Sequence, residues 1–287
     1  RRLNVAQSFN PLGSITGILL SQYFILSELS SASAQERASM SADQLAAMQA
    51  HELGAVTGTY MTLGFVLLAI MVVMLLIHMP EGGGSDNGDS AIASFRRLVR
   101  NRRYAWGVVA QFFYVGAQIG VWSFTIRLVM KELGMLEAKA ATLYLISIIC
   151  FSAARFLFTW AMKYVQPFKL LAMAAGADII LTTMVVCCGG AGWPCVLCLV
   201  GVSFFMSLMF PTIYGIALGD VENEEMGGRT GDAKIGASGL IMAILGGAVL
   251  TPLQGMLSDA AGVNISYLVP LICFVVVMIY ALTAAKE

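Results

Sequence analysis

The chain has 287 residues, of which 58% are hydrophobic and 12% charged, against about 25% charged in soluble domains. Its formal net charge is zero, so no bulk field draws it to nucleic acid. These values exclude an ordinary soluble domain and predict an all-α protein that crosses a bilayer many times.

Apolar windows of about 19 residues predict eight spans: 5–26, 55–79, 106–130, 140–162, 170–189, 193–218, 237–257 and 265–285. The chain opens on Arg1 rather than Met, and the natural N-terminus is expected upstream. In the first span Gln7 and Asn10 are three apart on one helical face, with Pro11 and Gly13 following. Proline kinks a helix and frees backbone groups, so the two amides are read either as cavity lining or as structural. The connection 27–54 carries SADQLAAMQAHEL, in which Ser41 and Gln44 match a capping box for a short surface helix.

The second span, AVTGTYMTLGFVLLAIMVVMLLIHM, holds no Asp, Glu, Lys or Arg. Its helix would run about 37 Å, enough to cross a ~30 Å hydrocarbon core with some tilt. Residues 80–103 then begin as a flexible Gly/Ser/Asp stretch and end in Arg96, Arg97, Arg100, Arg102 and Arg103. Those arginines are read as enforcing topology, the alternative being contact with anionic head groups. With Arg1 on the cytoplasmic side, twelve basic residues fall on the inner side and four, Arg37, Arg127, Lys131 and Lys139, on the outer. That bias predicts a multi-pass cell-membrane protein with both termini cytoplasmic.

The basic loop divides the spans two plus six. Residues 1–79 are expected to end an N-terminal half, 80–105 to join the halves, and 106–287 to form a six-span C-terminal half. Transporters of the major facilitator type have two six-span halves with substrate between them. The expectation is that fold, N-terminally truncated, with its first four spans missing from the sequence.

In the third span Gln111, Gln118 and Trp122 fall within a ~40° sector, with Tyr114 about 60° to one side. Buried amides need partners, and amides with aromatic rings suit a sugar's hydroxyls and C–H face. The alternative is inter-helix hydrogen bonding. Pro211, Pro252 and Pro270 also fall inside spans, as in the broken helices of transporters. Arg127 is near a span end and is read as an anchor. Arg155 lies deeper, on a face with Tyr144 and Phe151, and is a candidate gate or cross-bundle partner. Asp178 is an intramembrane carboxylate and so a candidate coupling site, set against its place in the third span of its half, where helices are peripheral.

Other motifs carry little. Residues 227–234, GGRTGDAK, lack phosphate-loop spacing, and Cys195-x-x-Cys198 has neither a second pair nor His ligands for a metal. Asn264-Ile265-Ser266 is a glycosylation sequon close to a span. No nucleophile–base or paired-carboxylate constellation is present, so no enzyme is expected.

Four segments, in order, resemble the L-fucose–proton symporter (fucose permease) family of the major facilitator superfamily: RLNVAQSFNPLGSITG at 2–17, AQFFYVGAQIGVWSFTIR at 110–127, SLMFPTIYGIAL at 207–218 and LGGAVLTPLQGMLSDAAG at 245–262. They resemble its fifth, seventh, tenth and eleventh spans, which makes the eight spans numbers five to twelve. The resemblance implies a sugar site lined by Gln7, Asn10, Gln111, Tyr114, Gln118, Trp122, Phe210 and Tyr214, with Phe210 where fucose permeases carry tyrosine. It also implies alternating access, the proton as coupling ion with no other cofactor, and coupling carboxylates on the first and fourth spans. The expected partners are a small-molecule sugar and the bilayer, with no nucleic acid, in a protein monomeric at full length. Glucose or galactose transport, or sugar binding without transport, are the alternative readings.

Overall fold

A computed structural model describes residues 10–26, 28, 37, 39–77, 91–222 and 230–284. Gln7 and the side chain of Asn10 lie outside the described residues. The helices are α1 (Asn10–Ser21), extended by a π-helical turn at Gln22–Leu26, then α2 (Ala42–Leu76), α3 (Ala91–Arg100) and α4 (Arg102–Leu133). After these come α5 (Glu137–Ala161), α6 (Pro167–Cys187), α7 (Trp193–Met206) and α8 (Met209–Glu222). The last four are α9 (Thr230–Met242), α10 (Leu245–Ala261), α11 (Val263–Ser266) and α12 (Leu268–Ala284).

Seven stretches of the described residues are long and apolar enough to cross a membrane, and they overlay the second to eighth predicted spans. The first predicted span shows a shorter apolar helix, Gly13–Ile25. Three of the seven are interrupted: at Ser207–Leu208, between α7 and α8, at Ala243–Ile244, between α9 and α10, and at Tyr267, between α11 and α12.

Local chemistry accounts for the helix ends. Ser41 and Gln44 form the reciprocal capping box, but the expected short surface helix does not exist as a separate element. With no proline between Ala42 and Leu76, the capped helix continues straight into the span. Its 35 residues extend about 52 Å, well beyond a bilayer core. Asn101 caps α4 by accepting from the Arg103 and Tyr104 amides at 3.0 and 3.2 Å. Gly134 closes α4 in the left-handed conformation, φ 61°, which costs glycine nothing. Pro167 and Pro194 begin α6 and α7 in the first turn, where the missing N–H is not needed.

At the Gly134 end of α4, Glu132 accepts from the amides of Gly190 and Gly192 at 3.0 Å and from Asn264 Nδ2 at 2.9 Å. Lys131 donates to Asn264 Oδ1 at 2.6 Å. The sequon amide is therefore buried and engaged, closed to a glycan by its hydrogen bonds as well as by its position.

From α4 onward the helices form one bundle with α4 at its hub, packed on α5, α7, α8, α10 and α12. Glycines set the α4–α10 approach. A Cβ on Gly116 would press on Leu250, one on Gly120 on Gln254, and one on Gly246 would overlap the Phe112 backbone carbonyl. Close backbone contact of this kind holds membrane helices together where lipid is as apolar as leucine. Outside the bundle, α1 lies on α5, and Gln22 donates to Thr142 at 3.5 Å. α2 rests chiefly on the Gln22–Leu26 turn and buries none of its residues.

Candidate functional site

The site is organised around the break in the sixth predicted span. Pro211 has no N–H, so the Ser207 carbonyl four residues earlier loses its helical donor. Arg155 of α5 replaces it, donating Nε–H to that oxygen at 3.0 Å. The neighbouring Met206 carbonyl accepts the Tyr114 hydroxyl of α4 at 3.0 Å. Two side chains from different helices thus hold the two carbonyls at the break, and the interruption is stabilised rather than frayed.

Aromatic contacts extend this centre. The Arg155 guanidinium lies 4.8 Å from the Phe151 ring centroid, and Phe151 meets Trp122 edge to face at 5.0 Å. Tyr114 meets Phe210 at 6.3 Å. Beside it, Ser147 donates to Ser203 at 2.6 Å.

The polar stripe of α4 divides on folding. Gln111 and Tyr114 are fully buried inside the bundle, whereas Gln118 and Trp122 are half-buried. Helices cover α4 on most sides, so only one edge of a broad stripe stays open. The resulting ledge is Gln118 and Trp122 above, Tyr114, Phe210 and Arg155 at the break. Tyr214 is not brought to it. It packs with the Leu98 and Tyr104 cluster toward the Arg102 end of α4.

Asp178 is placed differently from what its span suggests. α6 is on the bundle's edge, with Met173, Ile180 and Met184 exposed, but the carboxyl points inward and is 0% exposed. The α6–α7 register, in which Leu181 faces Gly201 and Cys195 Sγ meets the Val185 carbonyl, sets Asp178 level with Ser203. Neither of its oxygens has a hydrogen-bond partner among the described residues, and the same holds for Thr182 Oγ1 one turn on. A carboxyl buried inside a span without a partner is costly and marks a candidate functional group.

Gln254 was missed by sequence reasoning. It is fully buried against Gly120, with both amide atoms unpartnered among the described residues. A signal was available, since it stands seven residues past Gly247, on the face that approaches α4. A cleft of about 580 Å³ opens on the far side of the break, between Thr159, Lys163, Pro211 and Gly215. None of the residues predicted for the sugar site lines it.

No family model matches the chain. It is 37% identical over 302 residues to the L-fucose-proton symporter of Haemophilus influenzae, covering 100% of this chain and 67% of that protein. The L-fucose-proton symporter of Escherichia coli is 34% identical, with 98% of this chain and 63% of the relative covered. A glucose/galactose transporter of Brucella abortus is 28% identical, covering 100% of this chain and 64% of the relative. The chain spans about two thirds of the length of these relatives. A crystal structure of the E. coli fucose:proton symporter superposes with TM-score 0.72 at 34% identity, covering 100% of this chain and 69% of that one. A second, described as a major facilitator superfamily transporter in the outward conformation, gives 0.71, covering 100% and 68%. The chain thus belongs to the L-fucose–proton symporter family of the major facilitator superfamily.

Proposed function

We propose that this protein carries out sugar–proton symport by alternating access, with L-fucose as substrate. The observation that supports this most is the 37% identity to a fucose–proton symporter over the whole chain. In this reading residues 1–79 close the N-terminal half, 80–105 join the halves and 106–287 form the C-terminal half. Gln118 and Trp122 face the sugar, the amide toward its hydroxyls and the ring against its C–H face. Gln7 and Asn10 complete the site from the other half, and Gln111, Tyr114 and Phe210 support it from behind, while Tyr214 packs with the Leu98–Tyr104 cluster below. Arg155 acts as a gate on the broken helix, and Asp178 is a candidate second proton-binding group. The proton is the coupling ion, no other cofactor is needed, and the protein is a monomeric transporter rather than an enzyme.

The second reading is transport of glucose or galactose. Relatives with that description are 28–30% identical over the full chain, and Phe210 offers a ring where fucose permeases carry a hydroxyl. The test is proton-driven uptake in proteoliposomes by this chain fused to the part of the Haemophilus relative that it does not cover. Accumulation of L-fucose, abolished by uncoupler, supports symport. Accumulation of glucose or galactose instead supports the second reading. Binding without uphill uptake of any of the three rejects transport.

In the same protein Gln118→Ala is expected to weaken sugar binding about threefold to tenfold, the worth of one hydrogen bond at about 0.5–1.5 kcal/mol. Trp122→Ala should weaken it at least as much. Ser123→Ala is the control because Ser123 is exposed, whereas the adjoining Val121 is fully buried and its truncation would lower stability. Equal loss in the control would make Gln118 and Trp122 structural.

Orientation is tested with single cysteines in a cysteine-free background. A cysteine at the exposed Leu136 should react with an impermeant maleimide in intact cells, and one at the exposed Gln166, between α5 and α6, should not. The reverse pattern would invert the topology.

A further inference from the structure

We infer that α3 is a binding surface for anionic phospholipid, at the leaflet adjoining the Arg102 end of the bundle. The helix has three faces. Taking Ser94 as 0°, the protein-facing side holds Ser94, Leu98 near 40° and Arg97 near −60°. Ser94 and Leu98 are buried. Arg97 is committed inward, donating Nε–H and Nη2–H to the two oxygens of Asp232 at 2.9 and 2.7 Å, and Nη2–H also to Ser94 at 3.0 Å.

The other two faces are open. Phe95 and Val99, near 100° and 140°, are 61% and 55% exposed. Arg96 and Arg100, near 200° and 240°, are also exposed, as is Arg102 just beyond the Asn101 turn. Residues 91–103 contain no Asp or Glu. An apolar strip bordered by unbroken positive charge fits the boundary between acyl chains and negatively charged head groups.

Depth agrees with this assignment. Trp106, four residues past Arg102, is exposed, and Trp160 and Tyr164 pair at 5.2 Å at the same end of α5. Exposed Trp and Tyr at span ends mark the bilayer interface, so α3 lies at head-group level. Its arginines are therefore more than topology signals. Because Arg97 clamps α3 to Asp232 of α9, a lipid that holds α3 also holds that end of the Ile235–Ala261 span.

The test is native mass spectrometry of the purified chain in detergent with equal phosphatidylglycerol and phosphatidylcholine. The unaltered chain should retain phosphatidylglycerol at least tenfold over phosphatidylcholine, and less strongly in 0.5 M salt. Arg96→Gln, Arg100→Gln and Arg102→Gln should each reduce the preference about fivefold. The triple lysine variant should keep most of it, which separates lost charge from lost folding. Phe95→Ser with Val99→Ser should lower retention of both lipids. Equal retention of the two lipids by the unaltered chain, or an undiminished preference in the triple glutamine variant, would overturn the inference and assign this face to another protein segment. No arm reads transport, so failure here leaves the symport reading untouched.

Discussion

Gly246→Ala is expected to lower the thermal midpoint in detergent by roughly 8 °C, about 3 kcal/mol in a chain of this size. The added methyl would overlap the backbone carbonyl of Phe112. A side chain can rotate away from such an overlap, but a carbonyl in the middle of a helix cannot. α4 and α10 must then separate along their length, loosening the packing of Gly116 on Leu250 and of Gly120 on Gln254. Gly255→Ala is the control on the same helix. Its methyl would meet Phe124 Cζ at 3.7 Å, ordinary packing, so the change should be neutral or slightly stabilising. Equal midpoints for the two variants would show that the α4–α10 approach is not set by Gly246.

The second large effect belongs to Arg155. Arg155→Met should cost about 3 kcal/mol, because it removes a charge-assisted hydrogen bond and a cation–π interaction at once. Ser207 needs Arg155 because Pro211 has no N–H to offer. Pro211→Ala returns a donor four residues on, so it should make Arg155 partly dispensable. The double variant is expected to be at least 1 kcal/mol more stable than the sum of the single losses, a coupling well above the scatter of independent sites. Strict additivity would mean that the two residues do not share the Ser207 carbonyl and that the break is held in some other way.

Much of the fold was legible because bilayer physics writes it into composition. Spans of about 20 apolar residues, a loop rich in arginine and the capping pair Ser41 and Gln44 all act locally. Seven of the predicted spans accordingly overlie membrane-capable helices. The helix start at Ser41 was legible too, but not its continuation into the span, since a capping box marks where a helix starts and not where it stops. The stripe Gln111–Gln118–Trp122 was legible as a set of angles on one helix. Periodicity gives each residue's angle relative to its neighbours and leaves the helix's rotation against other helices open.

That rotation is what tertiary structure decided. In water an apolar face identifies the core. In lipid an apolar face serves either lipid or helix equally well, so sequence could not say that Asp178 points inward from an edge helix. Nor could it pair residues distant in the chain: Arg155 with the Ser207 carbonyl, Gln254 with Gly120, Arg97 with Asp232 across 135 positions. By itself the sequence determined an all-helical membrane protein, where its spans lie and, through four ordered motifs, its family resemblance. Only packing decided which polar groups became a ledge, which became buried supports and which became a latch, because each of those roles depends on the partner that a neighbouring helix presents.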